Sequence, residues 1–357
     1  MPPALAAMQA STNSGEGGLA ANFPRLRYMG SKYKLAPHLE RAFADVGGST
    51  FLDAFSGSGF VGYLAKAMGY SVASNDHLSF PSVIARAAIV NDSVRLSDET
   101  IDRITGPAAD DRDFVQSTFE NVFFTAEDRR FLDSAWSHID SMVGPERDLA
   151  LAALILSAAR KQPRGVFTIS GDLDHYNDGR RDLRLSLREH FRERAAEYNC
   201  AVFASEGDKV AYTGDVCDVP VKSFDVVYLD PPYAPPTDDA DYTKRYHFLE
   251  GLSDYWVGRE IMSWTKTKKL PKRHSLFANK RTIEGALEAT LDRFRDSGAI
   301  VLSYSSNALP GEARLKEMLG EVKSSVEVRV IPHTYHFGTH STANRRSVVE
   351  YLFIGTD

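Results

Sequence analysis

The spacing of hydrophobic residues changes twice along the chain and predicts an α/β fold interrupted by helices. Over residues 23–92, short apolar runs alternate with amphipathic stretches, which is typical of helices packed against a parallel sheet. The predicted elements are a helix at Lys34–Val46, a strand at Thr50–Phe55, a helix at Gly62–Met68 and a strand at Tyr70–Ser74.

A different pattern covers residues 93–199, where strand signals nearly vanish and the apolar spacing becomes helical. Glu127–Ile139 and Arg147–Lys161 are the clearest predicted helices, and a loop rich in glycine, aspartate and arginine follows at Gln162–Arg181. Strand patterns then return. They predict strands at Ala201–Ala204, Val226–Leu229 and Ala299–Tyr304, and a C-terminal hairpin with a long tip from Val326–Pro332 and Ser347–Ile354.

These elements predict a nucleotide-binding α/β domain formed by residues 23–92 and 200–357. Residues 93–199 form an insert after its second or third strand. Residues 1–22 are rich in alanine, glycine, serine and asparagine. They lack the basic start and the apolar core of a signal peptide, so we predict a disordered leader.

Composition narrows the class of protein further. A length of 357 residues suits one large α/β domain with an insertion, and 43% hydrophobic with 25% charged residues is typical of a globular chain. No apolar run approaches the length of a membrane span. Cys200 and Cys217 are too few for a disulfide framework or a zinc site, so we expect a reducing cytoplasm and no metal.

The most informative motif is Asp230-Pro231-Pro232-Tyr233, directly after the predicted strand Val226–Leu229. Prolines cannot continue the hydrogen-bond ladder of a central strand, so the strand ends here. Asp230 is therefore expected at the carboxyl end of a central strand, the edge at which open α/β sheets bind their ligands.

A glycine turn of the form Asp53-x-Phe55-x-Gly57-x-Gly59 follows the first predicted strand. Glycines admit positive φ and let a ligand approach the backbone, while the next helix presents free N–H groups. The third glycine of the dinucleotide fingerprint is missing, which argues against a nicotinamide dehydrogenase. Asp76 ends the second strand at the spacing where nucleotide-binding folds place an acid on the ribose.

Together these motifs, in this order, resemble the Dam-like (D12 class) DNA adenine N6-methyltransferases. The resemblance implies a Rossmann-like sheet that binds S-adenosyl-L-methionine, with residues 93–199 as a mostly helical target-recognition insert. The cofactor-binding residues that it implies are Tyr28 and Lys32 ahead of the first strand, Asp53, Phe55, Gly57 and Gly59 in the turn, Asp76, Asp215 in a Thr-Gly-Asp segment, and Asp230.

The residues of the Asp230 box suit methylation of an exocyclic amino group. The amino group of adenine is a poor nucleophile because its lone pair is delocalised into the ring. Asp230 and the carbonyl of Pro231 can accept its hydrogen bonds and localise that lone pair, and Pro232 helps to fix these acceptors. Tyr233 offers a stacking face for a base flipped out of the duplex. We therefore assign these four residues as catalytic.

Two basic stretches are candidates for DNA contact although the formal net charge is −6. Residues 264–281 carry no acid, and a second stretch spans Arg160–Arg194. The insert departs from the Dam pattern, so the resemblance does not imply GATC specificity and the DNA site stays open. The predicted DNA-binding side chains are Lys161, Arg164, Arg180, Arg181, Lys268, Lys269 and Lys272.

The predicted function is a cytoplasmic, site-specific DNA methyltransferase that acts on adenine in duplex DNA. It would serve a restriction-modification or epigenetic system, with a cognate restriction endonuclease as a candidate partner. Two alternatives stay open: an RNA adenine N6-methyltransferase, and a noncatalytic nucleic-acid-binding protein on a decayed fold. A cytosine N4 enzyme more often begins the box with serine, and a protein-glutamine methyltransferase usually carries asparagine in place of Asp230.

Overall fold

The structure is a computed structural model that describes residues 18–163, 165–168, 179–220, 223–233, 241–335 and 346–357. The strands are β1 (Thr50–Asp53), β2 (Ser71–Asp76), β3 (Val210–Thr213), β4 (Val226–Leu229), β5 (Ala299–Ser305), β6 (Ser325–Tyr335) and β7 (Arg346–Thr356). The α-helices before β3 are α1 (Ala36–Val46), α2 (Phe60–Ala67), α3 (Ser79–Ala85), α4 (Asp98–Ile104), α5 (Phe114–Thr118), α6 (Ala126–Ile139), α7 (Gly144–Arg160), α8 (Arg181–Arg184) and α9 (Leu187–Ala201). Those after β4 are α10 (Tyr242–Leu252), α11 (Ile283–Arg293) and α12 (Glu312–Gly320).

The strands form a single seven-stranded sheet in the order β3-β2-β1-β4-β5-β7-β6. The first five run parallel, whereas β7 pairs antiparallel with both β5 and β6. The predicted Rossmann-like sheet with a C-terminal hairpin is therefore confirmed. The strand order reverses between β1 and β4, and the crevice at the carboxyl ends of such a pair is where open α/β sheets bind ligands.

Successive residues of the central strands face opposite sides of the sheet, and each side has its own helical cover. Phe51 and Tyr228 belong to one hydrophobic cluster, which also includes side chains of α1, α2, α3, α10 and the helices of the insert. Leu52, Val227 and Leu229 belong to a second cluster with α11 and α12. Every residue of β4 is buried, as expected for the central strand of a three-layer fold.

The helices between β2 and β3 share the first of these clusters with the sheet. All residues from Leu149 to Ala159 of α7 are buried, so this helix is enclosed on every side. It contacts both α3 and α9. The insert is thus attached to the sheet through a common hydrophobic core.

Two sequence-based expectations differ from the structure. The strand predicted at Ala201–Ala204 is wrong, because α9 continues to Ala201 and the strand that pairs with β2 is β3. A capping box at Ser186 starts α9, and its buried face runs through Leu187 and Tyr198 to Ala201. The disordered leader predicted for residues 1–22 is wrong at its end. Leu19–Asn22 form a 3₁₀ turn that contacts α2 and α9. Residues 1–17 lie outside the described residues.

Within the described ranges, no helix is long and apolar enough to cross a membrane. In the same ranges, no group of three or more His, Cys, Asp or Glu side chains could hold a metal ion.

Candidate active site

A pocket lies at the carboxyl edge of the central strands. Its volume of about 1080 Å³ includes solvent-filled space at its open mouth. Four sequence motifs meet in its wall: the segment Tyr28–Lys32, the glycine turn, the end of β2 and the Asp230 box. The predicted cofactor and catalytic residues that line it are Tyr28, Lys32, Phe55, Gly57, Asp76, Asp215, Asp230, Pro231, Pro232 and Tyr233.

Asp53 and Gly59 do not line the pocket but shape the turn behind its wall. Oδ2 of Asp53 accepts a hydrogen bond from the N–H of Gly62, at 2.9 Å, in the first turn of α2. Asp53 is fully buried, and burial raises the pKa of this carboxyl to about 8. Gly59 precedes α2 with a φ of +81°, a conformation that favours glycine. Both residues therefore position the glycine turn from outside the pocket.

Asp76 holds the glycine turn from the neighbouring strand. Its Oδ2 accepts from the N–H of Gly57 at 2.8 Å, and its Oδ1 accepts from the N–H of Leu78 at 2.9 Å. Burial raises the pKa of Asp76 to about 6, although both backbone donors oppose the shift. Each oxygen keeps a second lone pair, so the carboxylate can still accept ribose hydroxyls.

Tyr28 packs against the glycine turn and against α10. Its ring is nearly parallel to that of Tyr246, with centroids 4.8 Å apart and a 9° interplanar angle, and it also stacks on Tyr242 at 5.6 Å. The hydroxyl of Tyr246 accepts from the N–H of Met29 at 2.8 Å. A Cβ at Gly57 would lie only 2.8 Å from the Tyr28 ring. The pocket thus has an aromatic wall whose position requires glycine at 57.

Asp230 is held between Lys32 and Tyr233. Nζ of Lys32 lies 2.7 Å from Oδ2 of Asp230 and also donates to the carbonyl of Gly30 at 2.7 Å. The hydroxyl of Tyr233 donates to Oδ1 of Asp230 at 3.0 Å. Burial raises the pKa of Asp230, and the Lys32 ammonium opposes this shift. The resemblance implied that Lys32 binds the cofactor, and the structure places its ammonium on Asp230.

Several residues of the pocket wall were not predicted as ligand contacts. Three of them, Lys272, Arg273 and Phe277, come from residues 264–281, the basic stretch that was predicted to bind DNA. Phe277 packs edge-on against Phe55 with ring centroids 5.0 Å apart. The guanidinium Nη1 of Arg273 lies 3.6 Å from Oε1 of Glu250. Only the aromatic residues within the basic stretch could have signalled this role in the sequence, because the contacts join segments far apart in the chain.

Glu250 is the buried carboxylate that organises this part of the wall. It accepts hydrogen bonds from the backbone N–H groups of Ser79 and Phe80, at 2.8 and 3.2 Å, at the start of α3. It also pairs with Arg259 at 3.0 Å. This network joins α3, α10 and the basic stretch beside Asp76.

The predicted DNA-binding residues of the insert have diverse surroundings. Lys161 is buried, and its Nζ lies 3.3 Å from Oδ2 of Asp128 and donates to the carbonyl of Leu185. We therefore correct its assignment as a DNA-binding residue, because its ammonium is used in contacts within the protein. Arg180 is half-buried and donates to the carbonyl of Pro163 at 2.8 Å, and Arg181 is exposed and paired with Glu193. Arg164 lies outside the described residues.

The predicted DNA-binding lysines of the basic stretch 264–281 lie within and after a tight loop that is closed by Met262 and Lys269. Lys268 donates to the carbonyl of Ser263 at 2.6 Å and has a φ of +51°. Lys269 is half-buried and forms an antiparallel bridge with Met262. Lys272 lies at the pocket. This stretch therefore connects the molecular surface to the pocket wall.

Residues 28–269 match the D12 class N6 adenine-specific DNA methyltransferases. The chain belongs to this family. The match includes the segment Tyr28–Lys32, the glycine turn and the Asp230 box, so it covers the motifs that meet in the pocket. This protein is therefore a site-specific DNA methyltransferase, as predicted. Family membership decides in favour of DNA over RNA, and of an enzyme over a noncatalytic protein.

Several type II methyltransferases resemble this methyltransferase over most of its length. M2.HphI of Haemophilus parahaemolyticus is 28% identical over 93% of this chain and 97% of its own. M.NlaIII of Neisseria lactamica is 24% identical over 92% of this chain and 98% of its own. M.FokI of Planomicrobium okeanokoites is 26% identical over 87% of this chain, but only 48% of that longer protein is covered.

Proposed function

We propose that this methyltransferase uses S-adenosyl-L-methionine to methylate the N6 amino group of an adenine flipped out of duplex DNA. The observation that carries the proposal is the position of Asp230. It lies at the carboxyl end of a buried strand, between Lys32 and Tyr233, in the same pocket as the glycine turn. Family membership requires a methyl donor of this general type.

The pocket wall fits this cofactor. Oγ of Ser56 and Nε2 of His77 are buried in lining residues and have no hydrogen-bond partner among the residues that the structure describes. Unpaired polar atoms at a pocket wall favour a polar ligand. Asp76 would accept the ribose hydroxyls, and Asp215 and Phe277 would hold the adenine ring. When bound, the cofactor supplies a methyl group activated by its sulfonium.

Asp230 acts on the adenine amino group. Its carboxylate and the Pro231 carbonyl accept hydrogen bonds from the nitrogen and localise the lone pair. Lys32 favours the ionised carboxylate, while burial strengthens it as a base, so Asp230 can take the proton that the nitrogen must lose. The Tyr233 ring, 5.0 Å from that of Tyr304, would stack on the flipped base.

The insert and the basic stretch would contact the duplex around this base. We propose target recognition by the helical insert of residues 93–199, and sequence-independent phosphate contact by Lys268 and Lys269. The related proteins are type II or modification methylases by name. We propose that this chain is likewise the methyltransferase of a restriction-modification system and acts in the bacterial cytoplasm. A cognate restriction endonuclease would be its partner in that system.

Transfer of labelled methyl from S-adenosyl-L-methionine to unmethylated genomic DNA, followed by nucleoside analysis, tests the proposal. We expect N6-methyladenine with the wild type. Asp230→Ala should keep cofactor binding by calorimetry and lose at least about a thousandfold in methyl transfer. Asp296→Ala, at an exposed position remote from the Asp230 box in sequence, is the matched control. Full activity of Asp230→Ala, or label in cytosine, would contradict the proposal.

A further inference from the structure

A second carboxylate reaches the catalytic tyrosine from the C-terminal hairpin. Glu350 lies on β7, is fully buried, and places its Oε2 3.3 Å from the Tyr233 hydroxyl. The same hydroxyl lies 3.0 Å from Oδ1 of Asp230. A phenol carries one proton, so it can make a full hydrogen bond to only one of these carboxylates at a time.

The choice between the two acceptors matters for Asp230. Its Oδ2 is bound to Lys32 and its Oδ1 to Tyr233, so each oxygen keeps one lone pair for the adenine amino group, and the donor already on Oδ1 weakens that oxygen as an acceptor. The Tyr233 hydroxyl is half-buried, and turning it away from Asp230 is least costly where another acceptor lies within hydrogen-bond distance. Glu350 supplies that acceptor.

The change needs only rotation of the hydroxyl proton. Both acceptor oxygens lie within 3.3 Å of the phenol oxygen, so the ring need not move. The ring is packed against Tyr304 at 5.0 Å and lies under the Lys32 ammonium at 5.3 Å. Tyr233 can therefore keep its stacking face fixed while its hydroxyl changes partner.

We propose that Glu350 is a positioning residue that accepts the Tyr233 hydroxyl when the substrate amino group binds Asp230. This inference rests on the proposed function. Glu350 is fully buried and lies opposite Ser305 of β5. Glu350 acts through Tyr233 and does not itself contact the reacting atoms.

The charge of Glu350 also acts on Asp230. It raises the pKa of Asp230, in opposition to Lys32 and to the Tyr233 hydrogen bond. Glu350→Gln keeps an acceptor for the phenol but removes this charge, whereas Glu350→Ala removes both. The other groups that interact with the Asp230 charge come from the ends of β1 and β4, the N-terminal segment and α10: Asp53, Tyr228, Tyr28 and Tyr242.

Steady-state methylation of unmethylated DNA across pH separates these roles. We expect Glu350→Ala to lower kcat about tenfold with little change in KM for S-adenosyl-L-methionine. Glu350→Gln should recover most of kcat and move the acid limb of the kcat profile to lower pH. In a Tyr233→Phe background, Glu350→Ala should leave the plateau kcat almost unchanged and should keep only the shift of the acid limb. Glu327→Gln, an exposed change on the same hairpin, should leave the profile unchanged.

Two results would overturn the inference. One is a kcat of Glu350→Ala equal to that of the wild type, and the other is full additivity of Glu350→Ala with Tyr233→Phe in the plateau kcat. If the wild type itself does not methylate DNA, the proposed function fails, and the inference is then decided by NMR of ¹³Cζ-labelled tyrosine. The Tyr233 signal, assigned with Tyr233→Phe, should shift in Glu350→Gln. An unshifted signal rejects the contact.

Discussion

Asp53 shows how burial of one side chain makes stability depend on pH. The pKa of this carboxyl rises from 3.8 to about 8, chiefly because the side chain is buried. The folded state therefore holds its proton more tightly than the unfolded chain. The stabilisation is fully present below about pH 4 and is lost as the pH rises through about 8.

Asp53→Asn should remove this dependence, because an amide oxygen can still accept from Gly62 and carries no charge. The free energy of unfolding of the wild type, relative to that of the variant, should fall by a few kcal/mol between pH 4 and pH 8. Denaturant unfolding of both proteins at pH 4 and pH 8 measures this difference in the free energy of unfolding. Asp53→Ala, which also loses the acceptor, should be destabilised at both. A constant difference between wild type and Asp53→Asn would contradict the assigned shift.

Gly57 is a residue at which one added methyl group should affect the cofactor pocket. Its φ is +50°, and a Cβ would lie 2.8 Å from the Tyr28 ring. Gly57→Ala should displace Tyr28 and weaken cofactor binding about tenfold or more, measured by calorimetry. Gly144→Ala is the control, since Gly144 has a φ of +63° but open space around its Cβ position. Equal cofactor affinities for the two variants would contradict this role of Gly57.

At the scale of elements, the loop between Met262 and Lys269 displays an aromatic side chain beside lysines. The N–H of Met262 donates to the Lys269 carbonyl at 2.8 Å, and Thr265 bonds to both ends of the loop. Trp264 is 72% exposed on this loop, whereas the other two tryptophans, Trp136 and Trp256, are buried. Trp264 is thus a natural reporter for the basic stretch.

Duplex DNA should protect Trp264 from a soluble quencher if the basic stretch contacts phosphates. Acrylamide quenching of tryptophan fluorescence should fall on addition of DNA at low salt and recover at high salt, because phosphate contacts weaken as salt increases. Trp264→Phe should abolish the quenchable fraction with and without DNA. Unchanged quenching at saturating DNA would place the duplex elsewhere.

Local patterns predicted the elements that carry the chemistry, and long-range contacts account for those that were missed. The strand before Asp230 and the glycine turn are defined by prolines, glycines and apolar runs within a few residues. The strand predicted at Ala201–Ala204 was wrong because a short apolar run does not by itself distinguish a strand from the end of a helix and the segment after it. The partners of Lys161 and Glu350 lie far away in the chain, so no local pattern marks them.

At the scale of the whole molecule, the common core implies that sheet and insert depend on each other. The side chains of α7 pack in the same hydrophobic cluster as those of α2, α3 and β1. Trp136 of α6 donates from Nε1 to the carbonyl of Leu252 in α10, at 2.9 Å, which joins the insert to an element that follows β4. Loss of either part would expose a large apolar surface of the other.

We therefore expect the described parts of this methyltransferase to unfold together. Leu154→Ala in α7 and Leu302→Ala in β5, both at fully buried positions, should each cost about 2–5 kcal/mol. Each should move a single denaturant transition, seen at the same midpoint by far-UV circular dichroism and by fluorescence of the buried tryptophans. Two separate transitions, of which Leu154→Ala lowers one and Leu302→Ala lowers the other, would instead show that the helical insert folds independently.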